Sequence, residues 1–467
     1  MLKKYYFRFF TILVITLSLP ISLFLLNKKT HFLEKAYFNL SGSEANIVVD
    51  LSSARSFTPH WKYLAQGGEE RGAMLTPVIS KVNNLEPYYI RIDHIYDFYN
   101  PVSRDSGGNL SFDWGMLDLQ IKTIQATGAR PFLSLSYMPE ALSRGTEVDL
   151  PYSWDEWKLL VQRTIEHVSG NRGLAIAGVY YEVWNEPDLF GGFKLSGPKN
   201  YLTLYTYAEK GARDAQDVLP FAFGGPGTTA LYKNWFTDFF DYAQKNDLRV
   251  DFYSWHRYSK DVNDYERDIE NVSSWITRYP KYVNTQFIIS ESGHNSENDL
   301  GYDTNFSAVH TLAMYAATFQ KLPIVFLFEI KDGKGQSKNW GRWGILTNDS
   351  FGEPEEKPRY RAIEFLNNFD WKYYPVYGTG TWVKAIATKD ASGNVVKVLV
   401  VNYDPFLNHS ENVEITFDNL PFKNFTFRRT DFLGTTSETE VSISGLNWRI
   451  EQFFQANSAA MFELIPR

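Results

Sequence analysis

The stretch Tyr181-Glu182-Val183-Trp184-Asn185-Glu186-Pro187-Asp188 opens as an apolar strand and closes on carboxylates, with Pro187 ending the run. Apolar runs of the same kind recur on either side of it. They are Tyr63–Ala65, Tyr89–Ile92, Pro131–Leu135, Val179–Trp184, Phe221–Phe223, Phe252–Trp255, Phe287–Ile289 and Ile324–Phe328. Helical patterns separate them. In one, Trp157, Leu160, Val161, Thr164, Ile165 and Val168 keep a 3.6-residue period, and Ser153 with Glu156 reads as a capping box. Eight strands with intervening helices over about 300 residues predict an α/β fold, a (β/α)₈ TIM barrel. A doubly wound open sheet is the competitor. It calls for a glycine-rich phosphate turn after the first strand, where only Gly67-Gly68 is found.

In such a barrel the active site lies at the C-terminal ends of the strands. Strand four ends on Glu186 and strand seven ends Ile289-Ser290-Glu291-Ser292-Gly293. A single strand-end Glu is more often an ion-pair partner or a helix cap. Two of them suit hydrolysis of a glycosidic bond, which needs two carboxyl groups flanking the anomeric carbon.

The Trp184-Asn185-Glu186-Pro187 string resembles the acid/base motif of barrel glycosidases that carry their carboxylates on strands four and seven. More narrowly, the chain resembles glycoside hydrolase family 39, the family of β-xylosidases and α-iduronidases. The supporting strings are His60-Trp61, Tyr89-Ile90-Arg91, Ser136-Tyr137-Met138-Pro139-Glu140-Ala141-Leu142, Gly224-Gly225-Pro226 after strand five, and Asp251-Phe252-Tyr253-Ser254-Trp255-His256-Arg257-Tyr258. They run in the family's order from about residue 46 to 365. The resemblance implies a retaining glycosidase with Glu186 as acid/base and Glu291 as nucleophile. It implies that Asn185 binds the hydroxyl next to the anomeric carbon, and that a β-sandwich takes in a strand from residues 46–56.

Other site candidates rest on fewer signals. Arg91, His256 and Tyr258 are donors suited to keeping the nucleophile ionised. Arg91 reads equally as a structural partner of Glu182, and His256 as a satisfied core histidine. Tyr137, Trp340 and Trp343 are aromatics that can stack on a sugar, although packing is the default for each. Three positions depart from the xylosidase pattern. Asp93-His94 stands where a His-Gly pair is usual, Ser292 follows the nucleophile in place of an aromatic, and Phe328-Glu329 ends strand eight without its tryptophan. Asp93, His94 and Glu329 are therefore candidate substrate contacts that set sugar specificity. The rival functions are a transglycosylase using the same carboxylates and a carbohydrate-binding pseudoenzyme.

Composition limits the alternatives. A net charge of −7 gives no footprint for nucleic acid. No cysteine means no disulfide and no thiolate chemistry, and the eight histidines do not fall at ligand spacing. No metal, cofactor or obligate protein partner is expected, only a carbohydrate substrate. Aromatics make up 16% of the 467 residues.

Phe9–Leu26 is uncharged and almost wholly apolar, between Lys3, Lys4, Arg8 and Lys28, Lys29. At roughly 27 Å of helix it is long enough to span a bilayer. Asn27-Lys28-Lys29-Thr30-His31 offers no small-x-small cleavage site. An uncleaved anchor with the large domain outside is expected; secretion after cleavage is the alternative. Past residue 370 the runs turn short and β-branched: Thr381–Thr388, Val395–Asn402, Val413–Phe417, Phe425–Thr430 and Ala460–Leu464, with Ser392-Gly393-Asn394 as a hairpin turn. The predicted organisation is an N-terminal anchor over 1–30, a linker and first sandwich strand over 31–60, the barrel over 61–366, and an appended antiparallel β-sandwich over 367–467.

Overall fold

A computed structural model describes residues 42–68, 70–321, 324–370, 372–390 and 394–467. The expected span Phe9–Leu26 and the turn residues Ser392 and Gly393 lie outside them. Among the described residues no helix is long and apolar enough to cross a membrane.

Eight parallel strands close into a barrel. In chain order they are Tyr63–Gln66, Tyr89–Ile92, Arg130–Ser134, Tyr180–Glu182, Ala222–Thr228, Phe252–Tyr258, Gln286–Gly293 and Ile324–Phe328. The eighth pairs with the first, Leu327 with Leu64 and Phe328 with Ala65. Each anticipated run became a strand, with ends shifted by a few residues. Gly224-Gly225-Pro226 lies within strand five and not after it. There Gly224 and Gly225 are needed because a Cβ would strike Phe252 O at 2.1 Å and the Tyr201 hydroxyl at 2.8 Å. The barrel interior is an aromatic stack in which Tyr63, Phe132, Phe252 and Phe326 are all buried.

The helix Trp154–Val168 buries the six periodic residues. Only half of its capping box forms. Ser153 accepts from the Glu156 backbone N–H at 3.4 Å, while the Glu156 carboxylate turns outward to Arg104 at 2.7 and 2.8 Å. A guanidinium fork offers that carboxylate more than one backbone N–H does.

Beside the barrel stand two sheets sharing an apolar core of Ile47, Val49, Val398, Val400, Ile415, Phe417 and Phe462. The seven-stranded sheet runs Thr436–Ser442, Asn424–Asp431, Ser458–Pro466, Val396–Asn402, Val383–Lys389, Lys372–Tyr374 and Arg55–Ser56. The four-stranded sheet runs Val376–Tyr377, Asn46–Asp50, Glu411–Asp418 and Trp448–Phe454. The unit is not purely antiparallel, because Asn46–Asp50 pairs parallel with Glu411–Asp418. These strands are joined only through the whole barrel, so no hairpin dictates their direction. The barrel helix Asn305–Thr318 is buried from Ser307 to Thr318, with Phe306 and His310 packing on Tyr403 of the sheets. Lys384 ties the same face to Asn263 at 2.8 Å and Glu266 at 2.7 Å.

Candidate active site

At the mouth of the barrel a buried guanidinium gathers the strand ends. Arg91 on strand two donates Nε and Nη2 to Glu182 Oε2 at 2.9 and 2.7 Å, Nη1 to Glu291 Oε1 at 2.8 Å, and Nη2 to Asn185 Oδ1 at 2.7 Å. Arg91 thus pairs with Glu182, and the same fully buried guanidinium also reaches Glu291 on strand seven. Arginine carries only donors, so the Asn185 amide must turn its oxygen to Arg91. The amide nitrogen donates to the Tyr137 hydroxyl at 2.8 Å, which leaves one N–H directed elsewhere.

Glu186 is delivered by a turn in which Trp184 and Glu186 both have positive φ, at 76° and 47°. Such backbone costs about 1–3 kcal/mol per residue and persists only where surroundings fix it. Here the Trp184 indole donates to Phe190 O at 2.9 Å and the Glu186 N–H to Gly227 O at 2.9 Å. The His256 Nδ1–H donates to Glu186 Oε1 at 2.8 Å and lies 3.5 Å from Glu291 Oε2. Tyr258 donates its hydroxyl to Glu291 Oε2 at 2.8 Å. One oxygen of Glu186, one oxygen of Glu291 and a His256 nitrogen all lie within 4.8 Å of one another.

Burial pushes the Glu291 carboxyl up from its ordinary value; His256 and Arg91 pull it back, and Glu186 adds to the rise. Burial opposes a charged His256, yet Glu291 and Glu186 together hold this imidazole above its ordinary value. The Glu186–His256–Glu291 group has donor types a cation accepts. However, the Arg91 guanidinium already stands on Glu291 and the His256 ring on Glu186, so both carboxylates have side-chain partners of their own. The set is an ion-pair network.

The remaining candidates spread around the rim. Asp93 follows strand two and is buried. His94 Nδ1 bonds Asp97 Oδ2 at 2.7 Å, and its ring lies so close to Gly68 that a Cβ there would meet it at 2.1 Å. Asp97, which sequence reasoning missed, also accepts from the Tyr137 N–H at 3.0 Å. Its three-residue spacing from His94 was the available signal. A cleft of about 410 Å³ opens here, with His94, Asp97, Met138 and Glu147 in its walls. Glu329, at the end of strand eight, is buried and accepts from Gln66 Nε2 at 3.0 Å.

Two aromatic or wall candidates, Tyr137 and Ser292, are corrected. Tyr137 offers no stacking face: its ring is buried against Trp184, Phe190 and His94, and its hydroxyl holds Asn185. Ser292 points into the barrel wall, donating to Phe326 O at 2.7 Å. Trp340 packs on Gly335 and near Arg342 in the loop after strand eight. In that loop it is Trp343 that reaches Phe328, at 5.3 Å between ring centroids, and Phe328 in turn stands 6.3 Å from Tyr258.

A closed barrel with two carboxylates converging from strands four and seven defines a class of carbohydrate-active folds. The sequence matches the profile of the glycosyl hydrolases family 39 over residues 52–417, and the chain belongs to that family. A β-xylosidase of Caldicellulosiruptor saccharolyticus is 27% identical over 295 residues, 57% of this chain and 59% of that protein. A β-xylosidase of Geobacillus stearothermophilus is 26% identical over 338 residues, 64% of each. The chain thus matches less than two thirds of either relative's length. In fold it is similar to the GH39 enzyme from Xanthomonas axonopodis pv. citri, with a TM-score of 0.71 at 18% identity, covering 92% of this chain and 99% of that one. It is also similar to a monomeric β-xylosidase from Caulobacter crescentus CB15, with a TM-score of 0.72 at 19% identity, covering 90% and 99%.

Proposed function

We propose that the protein is a retaining glycoside hydrolase with Glu291 as nucleophile and Glu186 as acid/base. The observation that carries this reading is the close approach of the two carboxylates from strands four and seven, one oxygen of each lying within 4.8 Å of the other and both beside His256. Retaining enzymes hold their carboxyl groups about 5–5.5 Å apart, while inverting ones leave about 6.5–9.5 Å for a water. Family membership and the β-xylosidase relatives point the same way.

The donor count supports the division of roles. Two carboxylates this close resist ionising together. Among the described residues Glu291 accepts from Arg91 and Tyr258, whereas Glu186 accepts from His256. Donors favour the charged form, which suits Glu291 to the role of nucleophile and Glu186 to that of the acid. Glu291 then attacks the anomeric carbon as Glu186 protonates the departing oxygen, and a glycosyl–Glu291 ester forms. Glu186, now a carboxylate, takes a proton from water, which attacks the same carbon and releases sugar of unchanged configuration. The free N–H of Asn185, locked between Arg91 and Tyr137, donates to the neighbouring sugar hydroxyl. NMR of the first-formed anomer tests the reading: retention supports it and inversion refutes it. The substrate is a surface or environmental glycan, and Phe9–Leu26 anchors the enzyme with its barrel outside the cell.

A further inference from the structure

Strand two places a second functional group above Arg91. In extended chain, residues two apart face the same side. Arg91 points into the barrel, onto Glu182 and Glu291. Asp93, one residue past the strand's end at Ile92, therefore faces the mouth one layer higher. It is 5% exposed, and among the described residues its Oδ1 has no hydrogen-bond partner. It acts electrostatically on Arg91, Glu291 and Tyr137. A buried carboxylate oxygen without a donor is costly, and in a native fold such a group calls for an explanation.

We propose that Asp93 Oδ1 accepts a hydroxyl of the sugar bound over Glu186 and Glu291, and that this acidic wall restricts that sugar to neutral glycones, excluding uronic acids. The inference rests on the glycone pocket of the hydrolase reading above. A neutral sugar brings hydroxyl donors, which complete the valence of Oδ1. A uronate brings a carboxylate, and the nearest cations are already engaged. Arg91 serves Glu182 and Glu291, and His94 Nδ1 is on Asp97. On the strand-eight side the wall is again acidic, with Glu329 buried beside Gln66. Across the outer cleft, Arg71 shares its walls with Asp97, Glu140 and Glu147.

The test is binding, which does not need turnover. Phenyl 1-thioglycosides of neutral pentoses and hexoses, and of the matching uronic acids, are titrated into the wild type, Asp93→Ala and Asp93→Asn, with melting curves to establish folding. At least one neutral ligand should bind tenfold or more tighter than its uronide, and Asp93→Ala should weaken it by a similar factor. Asp93→Asn keeps the shape and removes the charge, so it should narrow the neutral-to-uronide gap, and it carries the test if Asp93→Ala does not fold. Uronides binding as tightly as neutral ligands, no effect of either substitution, or no binding by any ligand overturns the proposal. Asp93-dependent binding of neutral sugars by an enzyme that cleaves none of the matching O-glycosides upholds the pocket and refutes the hydrolase reading instead.

Discussion

Arg91 and Glu291 meet at 2.8 Å through one guanidinium nitrogen while the rest of the same fork holds Glu182 and Asn185. One cation thus fixes strands two, four and seven against one another. Removing one partner of a buried pair leaves uncompensated charge and costs about 3–5 kcal/mol. Arg91→Met should lower stability by that order in urea unfolding. Arg91→Lys keeps the charge and lacks the fork, so it should still fold yet lose most of kcat/KM. A fully active Arg91→Lys would show that the fork does not organise the site.

Tyr137→Phe removes the acceptor of Asn185 and little else. A neutral hydrogen bond is worth about 0.5–1.5 kcal/mol, so kcat/KM should fall roughly three- to tenfold. The loss should shrink on a substrate lacking the hydroxyl next to the anomeric carbon. An equal loss on both substrates would mean that Tyr137 acts through packing alone.

How much of this was legible in sequence follows the range of the interactions. Glu186 and Glu291 stood out because each ends an apolar run, and the barrel followed from eight such runs in order. The parallel pairing of Asn46–Asp50 with Glu411–Asp418 left no local trace, since the partners are separated by the whole barrel. Thr436–Ser442 is an almost wholly exposed edge strand, so it lacks apolar alternation and passed unnoticed. Tyr137 read as a stacking aromatic because a sequence does not reveal which ring faces are covered. Arg91 read two ways because five donors can serve both partners at once.

His60 is buried, its Nδ1 has no partner among the described residues, and burial pushes its imidazole down to about 3. The unfolded chain binds a proton near pH 6.5, which the folded chain refuses until about pH 3. Between those values the unfolded state holds more protons, so this residue removes stability as pH falls. Melting temperatures from pH 7 to 5 should therefore decline less steeply in His60→Phe than in the wild type. A steeper decline in the variant would contradict the assignment.

The anchor reading predicts that the full chain stays with membranes through salt and carbonate washes. A fragment of residues 42–467, which holds every described element, should be soluble without detergent and equally active. Mature protein recovered free and beginning past residue 27 would favour a cleaved signal.

The separate roles of Glu186 and Glu291 are tested most directly by azide rescue on an activated aryl glycoside. Such a leaving group departs without a proton, so Glu186→Ala should still be glycosylated at Glu291 and then stall. Azide needs no base; it should restore turnover and yield a glycosyl azide of retained configuration. Glu291→Ala lacks the attacking oxygen, so it should fail with this substrate, and azide should rescue it only as the inverted product. General acid–base assistance is worth ~10²–10⁴ in rate, ample to separate the variants. A retained azide adduct from Glu291→Ala, or an inverted one from Glu186→Ala, would contradict the account.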